Sequence, residues 1–162
     1  MNAEHGPSSA TYARYSGMET ATFVLHREPL LLLDRLVVAG DDYTVCEWDI
    51  VEGGPFVQGN LGIPAYIGIE FMAQCIAVHA GVRARIDGLG PPLGFLLGTR
   101  HLRTYVDWLG PGQRCQAACR ELIRDSSGMG SYDCELLIGD KRIVEARLSV
   151  VEKESGRKTD DD

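Results

Sequence analysis

Two hydrophobic periods divide the chain. Between residues 65 and 87, apolar positions recur every three or four residues (Ile67, Phe71, Cys75, Val78, Val82, Ile86), and the positions between them are mostly apolar too as far as Val82. The spacing predicts one long helix, and the absence of a polar face predicts that other structure wraps it. Past the Gly88-Leu89-Gly90-Pro91-Pro92 break, four segments read as strands: Leu93 to Val106, Arg114 to Arg124, Gly130 to Ile138 and Lys141 to Val151. Gly-Pro-Gly, Asp-Ser-Ser-Gly and Gly-Asp turns separate them. Ahead of the helix, the run Leu30 to Val38 suits a turn followed by a strand, and Tyr43 to Ile50 a second strand. Gly53, Gly54, Pro55, Gly59, Gly62 and Pro64 crowd the stretch between, which predicts an irregular loop feeding the helix.

Two strands, one long helix and a four-stranded antiparallel meander, with no βαβ alternation, predict an α+β domain with an antiparallel sheet around a central helix. The 162 residues, 44% of them hydrophobic, suit a single core. The domain is expected over residues 21–151. Residues 1–20 and the charged residues 152–162 are expected to be flexible tails, because neither holds apolar side chains to anchor it.

Charge and cysteine usage narrow the function. A formal net charge of -7 argues against a nucleic-acid partner, which calls for a basic face. The start lacks the basic residues and apolar run of an export signal, so a cytoplasmic location is expected. Glu70, Gln74, His79 and Gly81 interrupt the long helix, which favours a protein core over membrane insertion. Cys46, Cys75, Cys115, Cys119 and Cys134 form no C-x-x-C pair or Cys/His cluster, so no metal site is expected and the thiols read as reduced core residues.

Glu70 is the residue that needs a reason. It is one carboxylate in the first turns of an otherwise apolar helix, and a carboxyl in apolar surroundings has its ionisation disfavoured, which tunes an acid for proton transfer. Gln74, four residues on and about 40° around the axis, is placed to share Glu70's cleft and orient its carboxylate. His79, nine residues on, falls on the opposite face and reads as structural. Of the remaining imidazoles, His26 interrupts the chain just before the apolar run, whereas His101 sits among Arg100 and Arg103; His26 is the better partner for Glu70. Pro64 suits the first helical position, which leaves the N–H groups of Ala65 and Tyr66 to hold a developing oxyanion. Asn60, in the loop, is polar enough to position a substrate.

Three ordered motifs carry a family resemblance: Leu25-His26-Arg27-Glu28-Pro29-Leu30-Leu31-Leu32-Leu33-Asp34-Arg35, then Pro64-Ala65 through Glu70-Phe71-Met72-Ala73-Gln74, then Gly94-Phe95-Leu96-Leu97-Gly98-Thr99-Arg100. Together they resemble the hotdog-fold 3-hydroxyacyl-[acyl-carrier-protein] dehydratases, above all the divergent branch named for aryl-polyene lipid biosynthesis. The resemblance implies a hotdog fold paired edge to edge, as a homodimer or as a heterodimer with a second hotdog dehydratase. It also implies a substrate carried on the phosphopantetheine of acyl carrier protein, no other cofactor, and an acid at Glu70. The family's loop histidine falls at or near Phe56, and no histidine lies between Tyr43 and Gln74. The base is therefore expected from His26 or from a partner subunit. Arg83, Arg85, Arg100 and Arg103 are expected to offer a basic patch for the acidic carrier. Two alternatives share the fold: a non-catalytic subunit of a dehydratase heterodimer, and an acyl-thioesterase in which Glu70 activates water.

Overall fold

In the computed structural model, which describes residues 6–153, one long helix lies in the concave face of an antiparallel sheet, the hotdog arrangement. Elements follow in the order α1 (Ser9–Ala13), β1 (Arg35–Ala39), β2 (Tyr43–Asp49), β3 (Ile63–Pro64), α2 (Gly68–Ile86), β4 (Leu93–Thr104), β5 (Trp108–Leu109), β6 (Arg114–Arg124), β7 (Met129–Ile138) and β8 (Lys141–Lys153). Alternation decides which side chains meet the helix. Thr44, Cys46 and Trp48 point inward from β2, Cys115, Ala117 and Cys119 from β6, and Tyr132, Cys134 and Leu136 from β7, while their neighbours face out. They close over Phe71, Met72, Cys75 and Val78 of α2, and Trp48 stacks on Phe71 with ring centroids 4.2 Å apart. The segment Ala65–Ile86 is long and apolar enough to cross a membrane, but 67% of its apolar window is buried inside the protein, as in a core helix. All five cysteines are buried and free.

The helix ends as its sequence dictates. Gly88 takes a left-handed φ of 73°, Leu89 N–H bonds to the Ala84 carbonyl at 2.8 Å and Gly88 N–H to that of Arg85 at 3.1 Å, which satisfies two terminal carbonyls. Its start differs from expectation. Pro64 belongs to β3, a single turn of 3-10 helix covers Ala65–Ile67, and the α-helix begins at Gly68.

The last four strands are not a meander. The sheet order is β1-β2-β6-β7-β8-β4, so β6 to β8 form hairpins while β4 closes the far edge on β8. After β4 the chain crosses the start of the helix, where β5 pairs with β3, and only then enters β6 beside β2. Pairing by adjacency fails here because two residues at β5 redirect the chain.

Residues 6–20 are not a loose tail either. Tyr12 and Tyr15 are buried, Tyr15 meets Phe23 edge-on at 5.7 Å, and Gly17 and Met18 exchange backbone bonds with Leu36 of β1. Two tyrosines three residues apart anchor a segment that is polar overall. At the other end, Glu152 and Lys153 complete β8; residues 1–5 and 154–162 of the expected tails lie outside the described residues.

Candidate active site

Residues 24–34 form a strap that joins no sheet and runs along α2. Its Phe23 end rests on Gly81, where any Cβ would collide with the Phe23 carbonyl. Its other end is held by Gln74, whose Oε1 accepts from Leu32 N–H at 2.9 Å and whose Nε2 donates to the Leu30 carbonyl at 2.6 Å. Between these points the Arg27 guanidinium donates to the carbonyls of Val24 (2.8 Å) and His26 (2.7 Å), and tightens the strap around His26.

Beneath the strap lies an apolar cleft of about 690 Å³. Glu70, Ala73, Ala77 and Ala80 of α2 form its floor; His26 and Leu30 of the strap, Pro55 and Phe56 of the loop, Phe95 of β4 and Val150 of β8 are among its walls. The structure therefore brings His26 and Glu70 to one cavity. His26 is half-buried, and that burial pushes its imidazole below the ordinary 6.5, which favours the neutral ring a base needs. Its Nδ1 is buried without a hydrogen-bond partner.

Expectations about six residues are corrected. Glu70 is exposed in this protomer, because it occupies the first turn of α2 on the side the sheet leaves open; the burial expected from its apolar neighbours is absent. Among the described residues it forms no hydrogen bond or ion pair. Gln74 does not orient it, since both heteroatoms of the Gln74 amide are taken by the strap. Ala65 N–H is bonded to the Asp107 carbonyl at 3.0 Å, so it is unavailable to an oxyanion, and Tyr66 and Asn60 are exposed and absent from the cleft lining. Arg83 is no free docking cation: it pairs with Glu121 and Glu152 at 2.9 and 3.2 Å.

His79 is structural, as expected, with Nδ1 2.9 Å from the Thr44 hydroxyl. His101 is exposed on β4 beside Glu145. Sequence reasoning missed the conformation of Phe56, which lines the cleft with φ of 63° in the left-handed region, a geometry that costs a non-glycine residue on the order of 1 kcal/mol. The crowding of glycine and proline around it was the available signal. A larger hollow, about 830 Å³, lies on the outer face of the sheet, but its Arg120, Arg142 and Arg147 are each paired with carboxylates and it holds neither Glu70 nor His26.

No curated protein matches the sequence. A family model described as ApeP dehydratase matches residues 18–160. The chain belongs to the ApeP-like dehydratase family. Among solved structures it is similar to the dehydratase heterocomplex ApeI:P from Xenorhabdus doucetiae, with a TM-score of 0.79 and 25% identity over 85% of this chain and 93% of that one. An uncharacterized protein from Pyrococcus horikoshii (TM-score 0.61, 9% identity, 85% and 95% covered) shares the fold. So does a hypothetical thioesterase with coenzyme A from Streptococcus pneumoniae (TM-score 0.58, 7% identity, 74% and 84% covered). Within the ApeP-like family, the dehydratase chemistry or the support of a dehydratase partner is the setting in which His26 and Glu70 are to be understood.

Proposed function

We propose that this chain dehydrates 3-hydroxyacyl thioesters carried on acyl carrier protein, as one subunit of a pair of hotdog dehydratases in fatty-acid-like or aryl-polyene lipid biosynthesis. The observation that carries the reading is the meeting of a neutral-biased imidazole and a carboxyl on one apolar cleft. His26 removes the α-proton of the thioester, and Glu70 delivers a proton to the departing 3-hydroxyl, so water leaves and a double bond forms between the α and β carbons. The proton on His26 returns to Glu70 through solvent after product release. Apolar walls suit the acyl chain.

Pairing follows from the edge. All twelve residues of β4 are exposed, including Phe95, Leu96 and Leu97, and among the described residues its outer backbone groups face no strand. Because Leu93 to Leu96 also line the cleft, a second hotdog on this edge would cover the cleft mouth and withdraw Glu70 from water. The similar ApeI:P structure is a heterocomplex, and a mixed pair is the arrangement we infer here.

A second reading, a subunit that supports a partner without catalysis, is favoured by Phe56 standing where the family resemblance places a histidine. One assay separates the readings. Carrier-linked 3-hydroxyacyl substrate is followed for the ultraviolet absorbance of the enoyl thioester, with this chain alone and with its hotdog partner. Enoyl product that is lost on Glu70→Gln supports the proposal; unchanged turnover of the pair on that substitution assigns a supporting subunit, and free thiol without enoyl assigns a thioesterase.

A further inference from the structure

We infer that Gln74 is a positioning residue: by latching the strap to α2 through Leu30 and Leu32 it fixes where His26 stands in the cleft. The inference rests on the reading above, in which His26 acts on the substrate.

Gln74 is an amide 8% exposed in an apolar helix, and such a group persists only where its hydrogen bonds are made. Both are made, and both go to backbone groups more than 40 residues away in sequence, Leu32 N–H and Leu30 C=O. Thr20 and Glu47 hold the Leu33–Asp34 end of the strap, but residues 24–31 join no ladder. Within it, Leu30 and Leu31 N–H bond to the Arg27 carbonyl and the Arg27 side chain bonds to Val24 and His26, so residues 24–31 are tied to one another. Among the described residues, the two bonds to Gln74, one at Leu30 within this unit and one at Leu32 just beyond it, are the hydrogen bonds that tie the strap to the helix.

Helix geometry makes the latch effective. Gln74 and Gly81 are seven residues apart, hence about 10 Å along the axis and about 20° around it. The strap is thus pinned at two points on one helical face, Phe23 against Gly81 and Leu30–Leu32 against Gln74, with His26 between them in sequence. Among the described residues, the buried Nδ1 of His26 has no hydrogen-bond partner that would place the ring independently. Its position comes from the backbone that carries it, and so from what holds that backbone.

Three measurements test this on the full chain with its hotdog partner. In the unmodified protein, the Leu32 amide should exchange with deuterium about 10³-fold more slowly than an open loop amide, although it lies in no sheet. In Gln74→Leu, which keeps the volume and removes both bonds, kcat should fall about 30-fold with KM changed less than threefold. Gln74→Glu keeps an acceptor for Leu32 N–H but sets a carboxylate oxygen against the Leu30 carbonyl, so kcat should stay reduced there too.

The His26 imidazole, followed by NMR, should titrate closer to the ordinary 6.5 in Gln74→Leu, as the freed strap lets water reach it. The charged groups around it (Arg27 and Glu28 of the strap, Glu70 of α2, Glu152 of β8) are the same in both proteins, so the change reports solvation. Rapid exchange of the Leu32 amide, or a His26 titration that Gln74→Leu leaves in place, overturns the inference while the dehydratase reading stands. Full dehydration by His26→Ala overturns that reading, whatever Leu32 does.

Discussion

The Arg83 guanidinium donates to the Glu121 carboxylate at 2.9 Å, tying the last turn of α2 to β6. The His79 imidazole 3.6 Å away, Arg83 and the Tyr132 hydroxyl together hold the Glu121 carboxyl down to about 2, against the burial that would raise it; of these, Arg83 and Tyr132 have hydrogen-bond geometry. Since the folded value lies below the ordinary 4.5, ionised Glu121 stabilises the fold fully above that pH, and the contribution is lost as pH falls from 4.5 through about 2. Glu121→Gln should therefore cost about 2 kcal/mol at neutral pH, with the difference from the unmodified protein shrinking in acid. Urea unfolding at a series of pH values measures it.

Gly81→Ala should be among the most damaging small substitutions in the chain. The added methyl would sit on the Phe23 carbonyl, a backbone atom that cannot swing aside, and the strap would have to lift from the helix. An overpacking cost of about 3 kcal/mol is expected, read as a lowered midpoint of urea unfolding.

The cleft floor should measure acyl length. From Glu70 to Ala77 is about 10 Å along the helix, the span of about eight methylenes. Ala77→Leu, which fills the floor there, should raise KM about tenfold for longer acyl thioesters and leave four-carbon substrates unchanged. Equal effects on both would show that the chain does not run along α2.

Leu97 is exposed on β4 but lies outside the cleft lining. Leu97→Lys should weaken pairing with a second hotdog subunit at least tenfold, by roughly 1.4 kcal/mol, without altering the cleft itself. Light scattering after size-exclusion chromatography reads the pairing directly.

The pH profile should carry the signature of His26. With its imidazole pushed below 6.5 by burial, the base form persists into mild acid, and the acid limb of kcat/KM should fall below pH 6.5. A limb at or above 6.5 would point to another base, including one on the partner.

Much of this protein was legible in its sequence. The 3.6-residue period placed the helix and its Gly88 stop, and alternation with turn residues placed β6, β7 and β8 almost to the residue, because those signals are local. Glu70 stood out as a carboxylate among apolar neighbours, and His26 as part of a polar interruption just before an apolar run.

Partnerships were decided elsewhere. The edge position of β4, the bond that takes Ala65 N–H to Asp107, the two bonds that take Gln74 to the strap, and the open side of α2 that leaves Glu70 in solvent all join residues distant in sequence. Periodicity says which face of an element is apolar; it does not say which neighbour covers that face, and in this chain that choice sets which polar groups are spent on structure and which remain for chemistry.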